Sequence, residues 1–169
     1  LLRPHIVPGD HRGQPPRELT LVELAGHIAP GGGRHQSQWP ARALQRIQQL
    51  FAPLEEGGAC YVAYGVQGGT WTMPALRTTG IGSPVTVSCS IITEDDEVVG
   101  DVSSDTPLFL TPDGFLEVQA YPVPVQHAPP NEDAPIDDLY GKLATLSCTV
   151  ADLEERSDTV TVLVELVED

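Results

Sequence analysis

The feature that most constrains the fold is the strict alternation of apolar and hydroxyl-bearing residues at positions 85–91 and 146–150. In both segments every second residue is Val, Ile, Leu or Cys, and the residues between them are Ser or Thr. A period of two places successive side chains on opposite faces of a β-strand. Each segment therefore predicts a strand with one buried face and one face toward water. We interpret the similarity of the two segments as convergence, with an internal duplication as the alternative.

The rest of the C-terminal two thirds is also typical of a β-protein. Strands are predicted at residues 59–66, 70–76, 115–121 and 159–167. The last of these is apolar on both faces, which favours a central position in its sheet. The chain contains 16 Gly and 16 Pro, as expected for many turns and short elements. Pro122 and Pro124 restrict the segment around them to a sheet edge or a non-strand path.

The N-terminal third has a different character. Residues 37–54 predict one helix, because its apolar residues recur at three- and four-residue steps. Residues 1–36 are rich in Pro, Gly, His and Arg and predict an extended arm, with one short ordered piece at 19–28 that is either helix or strand; a possible capping box favours helix. We therefore predict a mainly β fold with minor α content, namely a β-sandwich or jelly-roll-like body with one packed helix. The domains are an arm at 1–36 and a single β-rich domain at 37–169.

Three cysteines occur, Cys60, Cys89 and Cys148, each inside an apolar, strand-like segment. An odd number in such surroundings favours buried free thiols. A Cys89–Cys148 disulfide is the alternative. The spacing fits no zinc site.

Charge is unevenly distributed along the chain. The net charge is −15, yet residues 1–54 hold six arginines and three acidic residues, so this segment is +3 and the remainder is −18. A basic segment on an acidic body predicts contacts between the two, within one chain or between neighbours. An acidic body argues against nucleic-acid binding, which needs dense Lys and Arg. The candidate protein-interaction residues are Arg3, Arg12, Arg17, Arg34, Glu94, Asp95, Asp96 and Glu97.

The sequence offers no recognisable catalytic, cofactor or metal site. No serine lies in a G-x-S-x-G motif, and the histidines cluster in the predicted arm. The acidic run at 94–97 lacks the spacing of a calcium loop, and the segment Gly31-Gly32-Gly33-Arg34 lacks the lysine and hydroxyl residue of a phosphate-binding loop. No apolar run approaches the length of a membrane span. We therefore expect a protein that is not an enzyme, has no cofactor and does not insert into a membrane.

Residues 85–89, Val-Thr-Val-Ser-Cys, resemble the first cysteine strand of an immunoglobulin domain, with Cys148 at a plausible partner spacing. The family expects a tryptophan after the first cysteine, whereas Trp39 and Trp71 both precede it. It also expects a tyrosine where this chain has Leu146. The resemblance covers two short strands and implies a sandwich architecture only.

The overall texture of the chain, a β-rich acidic body preceded by an oppositely charged arm, resembles the protruding and decoration domains of viral capsids. That resemblance implies a structural protein on the virion surface, partnered by its own copies or by capsid subunits. The start at Leu1 fits a processed product or a segment of a longer polypeptide. The alternatives are an extracellular β-sandwich binding module and a small hydrolase or ligand-binding enzyme, which a deep pocket at His127 or at the acidic turns would favour.

Overall fold

The computed structural model describes residues 23–25, 53–65 and 68–169. The described chain is mainly β, as the sequence predicts, with a single 3₁₀ turn at Ile136–Leu139. The strands are β1 (Glu23–Ala25), β2 (Gly58–Tyr64), β3 (Thr70–Thr72), β4 (Ala75–Thr78), β5 (Val85–Thr93), β6 (Val98–Thr106), β7 (Phe109–Leu110), β8 (Leu116–Val118), β9 (Val123–Pro124), β10 (Leu143–Asp152) and β11 (Ser157–Glu168). No helix within the described ranges is long and apolar enough to cross a membrane.

The strands form two sheets that share one core. The larger sheet has the order β6-β5-β10-β11-β2-β3-β9, and the smaller has the order β1-β4-β8-β7. All neighbouring pairs are antiparallel except β11 and β2, which are parallel. Leu76 and Val118 of the smaller sheet belong to the same buried cluster as Val87, Leu146 and Val164 of the larger one. Burial of this cluster is the main source of stability.

Strands β5 and β10 are neighbours at the centre of the fold, and the alternation that predicts them is borne out by their burial. Val87, Cys89 and Ile91 are buried, as are Leu146 and Cys148. On the opposite face, hydroxyl groups pair across neighbouring strands. The observed pairs are Ser88–Ser103 at 2.7 Å, Thr149–Thr159 at 2.7 Å and Ser147–Thr161 at 3.1 Å. The outer face is therefore polar, and six of its hydroxyls pair with one another.

The favoured interpretation of three free thiols is wrong, because Cys89 and Cys148 form a disulfide. The two residues are register partners on adjacent antiparallel strands, with their Cα atoms 4.2 Å apart. Both side chains point into the core, so the two sulfurs meet. The bond joins neighbours within one sheet, whereas the immunoglobulin disulfide joins two sheets. Cys60 is the free cysteine, and it is buried.

The hairpins β5–β6 and β10–β11 repeat one backbone arrangement on either side of this disulfide. In the first turn the Thr93 N–H donates to the Glu97 carbonyl, and in the second the Asp152 N–H donates to the Arg156 carbonyl, both at 2.9 Å. Thr93 and Asp152 each lie four residues after the cysteine of their strand. Each turn contains one non-glycine residue with positive φ, at the same distance from its cysteine. These residues are Asp96 (φ 61°) and Glu155 (φ 62°). The likeness seen in the sequence thus extends through both turns.

Three local predictions require correction. The segment predicted as one strand at 70–76 is divided at Pro74 into β3 and β4, which belong to different sheets, because proline has no N–H to continue a ladder. The predicted short helix at 19–28 is a strand at Glu23–Ala25, paired with the edge of β4. The helix predicted at 37–54 does not reach its end, since Pro53 and Leu54 are not helical; residues 37–52 and the arm outside 23–25 lie outside the described residues.

The larger sheet is nearly closed, because β6 approaches β9 at its far edge. Ile91 pairs with Gly100 and Ile92 with Val98, so one extra residue is inserted in β6, and such a bulge bends a strand. We call the approach of β6 to β9 the seam. Across it, the Gln126 N–H donates to the Val99 carbonyl at 2.8 Å. A Cβ at Gly100 would lie 2.8 Å from the Pro124 carbonyl oxygen. Glycine therefore allows the two edges to approach.

Replacing Gly100 with alanine is expected to lower the free energy of unfolding by about 1–3 kcal/mol, the usual cost of overpacking. The added methyl would meet the Pro124 carbonyl, which belongs to the backbone and moves only if the seam opens. Urea denaturation measures the loss. Gly82→Ala is the matched control, since a Cβ there is 3.4 Å from its nearest neighbours. Equal stability of G100A and wild type would contradict the tight seam.

Candidate interaction site

The turn between β5 and β6 displays three of the predicted interaction residues. Its backbone is fixed by the Asp96 N–H, which donates to the Thr93 carbonyl at 3.0 Å. The Thr93 hydroxyl, which is buried, accepts from the Glu97 N–H at 3.3 Å. The turn projects the side chains of Glu94, Asp95 and Asp96 into solvent.

Glu97, the fourth acidic candidate, faces inward and serves the fold. Its Oε1 accepts a hydrogen bond from the Ala128 N–H at 3.1 Å and lies 2.9 Å from Nδ1 of His127. The hydrogen bond with His127 lowers the pKa of the Glu97 carboxyl, with a smaller contribution from the Ala128 N–H and against the effect of burial. Only 16% of the Glu97 side chain is exposed. We therefore assign Glu97 to the support of the site.

His127 links the turn to the loop that follows β9. Its side chain is 6% exposed, and its Nε2 lies 3.2 Å from the Pro135 carbonyl oxygen. Both ring nitrogens thus lie within hydrogen-bond distance of oxygen atoms of the protein. The ring holds the 127–138 loop against the turn. We call the contacts of His127 with Glu97 and Pro135 the brace. Neither ring nitrogen faces an open cleft.

The brace brings two acidic segments to the same end of the molecule. The turn supplies Glu94, Asp95 and Asp96, and the loop contributes further exposed carboxylates. The acidic residues of the loop are Glu132, Asp133, Asp137 and Asp138. Lys142 is the nearby cation, and its Nζ lies 3.6 Å from the Asp95 carboxylate. We call the seven carboxylates of the turn and the loop the acidic end, namely those of Glu94, Asp95, Asp96, Glu132, Asp133, Asp137 and Asp138. Their common sign produces a negative potential that attracts a cationic partner.

The cations of the described body are all held by its own carboxylates. Arg77 pairs with Glu117 at 3.0 Å, Lys142 with Asp95, and Arg156 with the buried carboxylate of Asp152. These three are the basic residues of positions 55–169, against 21 acidic ones. The negative charge of the body is therefore largely uncompensated within the described part of the chain.

Of the eight sequence-predicted interaction residues, the structure brings Glu94, Asp95 and Asp96 together on one turn. Arg3, Arg12, Arg17 and Arg34 lie outside the described residues. Sequence reasoning missed the role of His127, because its contact with Glu97 spans 30 positions and depends on how β6 meets β9. No local pattern marks that contact. Across residues 53–65 and 68–169, no three His, Cys, Asp or Glu side chains converge as metal ligands.

Replacing Glu97 with glutamine is expected to lower the free energy of unfolding by about 1.5–3 kcal/mol at neutral pH, the usual value of a hydrogen bond to a charged group. The pKa of Glu97 is lowered in the folded protein, so this stabilisation is present above the ordinary pKa of 4.5 and is lost as the pH falls below it. Urea denaturation at neutral and acid pH measures both effects.

Glu94→Gln is the control, because Glu94 is exposed on the same turn. Its expected effect is within about 0.5 kcal/mol, as for surface substitutions in general. If E97Q and E94Q have the same free energy of unfolding, the contact between Glu97 and His127 does not stabilise the fold.

The chain was also compared with known proteins. No protein-family model matches it, and no curated protein gives a significant match.

Proposed function

We propose that this chain is a non-enzymatic assembly protein, a surface or decoration domain of a viral particle whose copies are joined by a basic arm and an acidic body. The observation that carries the proposal is the uncompensated charge of the body. Residues 55–169 contain 21 acidic residues and three basic ones, and all three basic side chains are already paired within the body. A cationic segment outside the body is the natural complement of such a surface.

The arm supplies that complement. Arg3, Arg12, Arg17 and Arg34 lie within residues 1–36, and in the proposal they bind the acidic end of an adjacent copy. Each exposed ion pair contributes only about 0–1 kcal/mol. Several such pairs acting together, with the arm's apolar residues, are therefore needed for stable assembly. The association weakens as salt screens the charges.

The proposal also includes the finer architecture. The two sheets form a sandwich or jelly-roll-like body, a helix that begins at residue 37 and ends before Pro53 packs on it, and residues 1–36 extend from it as an arm. Two observations support this architecture: the two sheets share one core, and the predicted helix has an apolar stripe. A disulfide at Cys89–Cys148 fits an oxidising location such as a virion surface.

The test compares two double variants that remove the same charge. R12Q/R17Q changes the arm, whereas R42Q/R46Q changes the predicted helix. Light scattering at low salt should report a smaller mass for R12Q/R17Q and an unchanged mass for R42Q/R46Q. If the two variants keep the same oligomeric mass, the arm arginines do not hold the assembly together.

An extracellular binding module is the second candidate, and the disulfide favours it. Disulfides persist mainly in secreted and surface proteins, and this one lies at the centre of the β-body. A module of this kind acts as a monomer toward other molecules. A monomeric mass for the wild type at every salt concentration would favour it over the assembly protein.

A further inference from the structure

The strand β1 is the part of residues 1–52 that the structure describes, and it lies at an edge of the smaller sheet. It pairs antiparallel with β4 through Glu23↔Arg77, Leu24↔Leu76 and Ala25↔Ala75. On its other side β4 pairs with β8. Within the described ranges, β4 is the strand with which β1 pairs. The edge of β4 is therefore a place where a short extended segment is added to the sheet.

Strand addition of this kind is largely independent of which molecule supplies the strand. Its affinity comes from main-chain hydrogen bonds, which are the same for a segment of the same chain and for the identical segment of another copy. Without β1, this side of β4 would be an open sheet edge, which readily pairs with another strand. The edge must be covered in either case.

The connection between β1 and the body is long enough for exchange. Between Ala25 and the start of the predicted helix at residue 37 lie 11 residues, which span at most about 36–40 Å when fully extended. A compact body of this size has a radius of gyration of about 13 Å. The covalent connection thus allows β1 to lie on its own body or on a neighbour's. The attraction between opposite charges favours β1 on a neighbouring body as much as β1 on its own, because the body of every copy is acidic and residues 1–54 of every copy are basic.

We infer that the edge of β4 is a strand-acceptor site and that in the assembled protein it is occupied by β1 of a second copy of this chain. The inference rests on the proposed assembly function and specifies its partner and binding mode. The β1 strand fixes the position of one chain on the next, and the arm arginines strengthen the contact with the acidic surface. Each exchanged strand forms the same backbone pairing that the structure shows within one chain.

Paired cysteines distinguish exchange from pairing within one chain. Ala25 and Ala75 are register partners, so cysteines at these positions lie within reach of oxidation or of a short bismaleimide. Full-length A25C and A75C chains of different mass are mixed at a concentration at which wild type assembles, then cross-linked. The matched control is A25C mixed with S103C, because Ser103 is exposed on β6 of the larger sheet, away from β4. The exchange predicts a covalent heterodimer from the first mixture, several-fold above the control.

The double variant A25C/A75C completes the test. A cross-link only within one chain, with no heterodimer in the A25C and A75C mixture, overturns the exchange and leaves β1 on its own body. No cross-link in either experiment overturns the acceptor site itself. Light scattering on the same samples separates these failures from that of the assembly function. An oligomer without heterodimer cross-links refutes the exchange alone, whereas a monomer refutes the assembly function as well.

Discussion

Loss of the Cys89–Cys148 disulfide is expected to lower the free energy of unfolding by about 4 kcal/mol, the chain-entropy value for a closed loop of this size. The bond closes a loop with a sequence separation of 59 and links two neighbouring interior strands of the larger sheet, β5 and β10. Urea denaturation of C89A/C148A against wild type measures the difference. A loss this large is a substantial part of the total stability of a typical domain.

A reductant provides the matched control for this prediction. It should destabilise the wild type and leave C89A/C148A unchanged, because Cys60 is then the remaining cysteine. Alkylation of the unfolded protein without reductant should modify one thiol per chain. Modification of all three thiols would restore the free-thiol interpretation that the sequence favours, and would contradict the disulfide.

Replacing Asp152 with asparagine is expected to lower the free energy of unfolding by about 2–3 kcal/mol, because several hydrogen bonds to one charged group are weakened together. The carboxylate is 2% exposed and accepts from the Gly82 N–H at 2.9 Å, the Glu154 N–H at 2.9 Å and the Arg156 Nε at 2.7 Å. It therefore fixes the β10–β11 turn and attaches it to the loop before β5. Thermal or urea denaturation measures the loss.

The pH dependence gives this prediction a second readout. Burial opposes ionisation of Asp152, but the hydrogen bonds from Gly82, Arg156 and Glu154 outweigh it and lower the pKa from 3.8 to about 2. A lowered folded pKa means that the stabilisation is present above pH 3.8 and is lost as the pH falls toward 2. The stability of D152N should therefore decline less over that range than the stability of wild type.

Glu154 supplies the control for Asp152. It also pairs with Arg156, at 3.3 Å, but its side chain is 75% exposed. An exposed ion pair contributes about 0–1 kcal/mol, so E154Q should change the stability little. Similar losses for D152N and E154Q would show that the turn is not fixed by the buried carboxylate.

The part of the fold that the sequence predicts is the part set by local patterns. Alternation at 85–91 and 146–150 predicts β5 and β10, because a period of two is a property of the strand itself. Apolar residues on both faces of the segment at 159–167 predict a central strand, and β11 lies between β10 and β2. The prolines at 122 and 124 predict a sheet edge or a non-strand path, and β9 ends its sheet.

The features that the sequence does not predict depend on contacts between distant segments. The disulfide requires the register that places Cys148 opposite Cys89, and no local pattern specifies register between strands this far apart. Residues 23–25 become a strand because the edge of β4 offers backbone partners, which outweighs a weak helical preference. The acidic turn is recognisable from its composition, whereas the brace between Glu97 and His127 joins positions 30 residues apart and depends on the approach of β6 to β9.

The most direct test of the assembly proposal is the native mass of the full-length wild-type chain, measured by size exclusion with light scattering at low and at high salt. We expect a defined oligomer at low salt that dissociates toward a monomer of 18.1 kDa as salt screens the contacts between arm and body. A monomer at every salt concentration would contradict the assembly proposal.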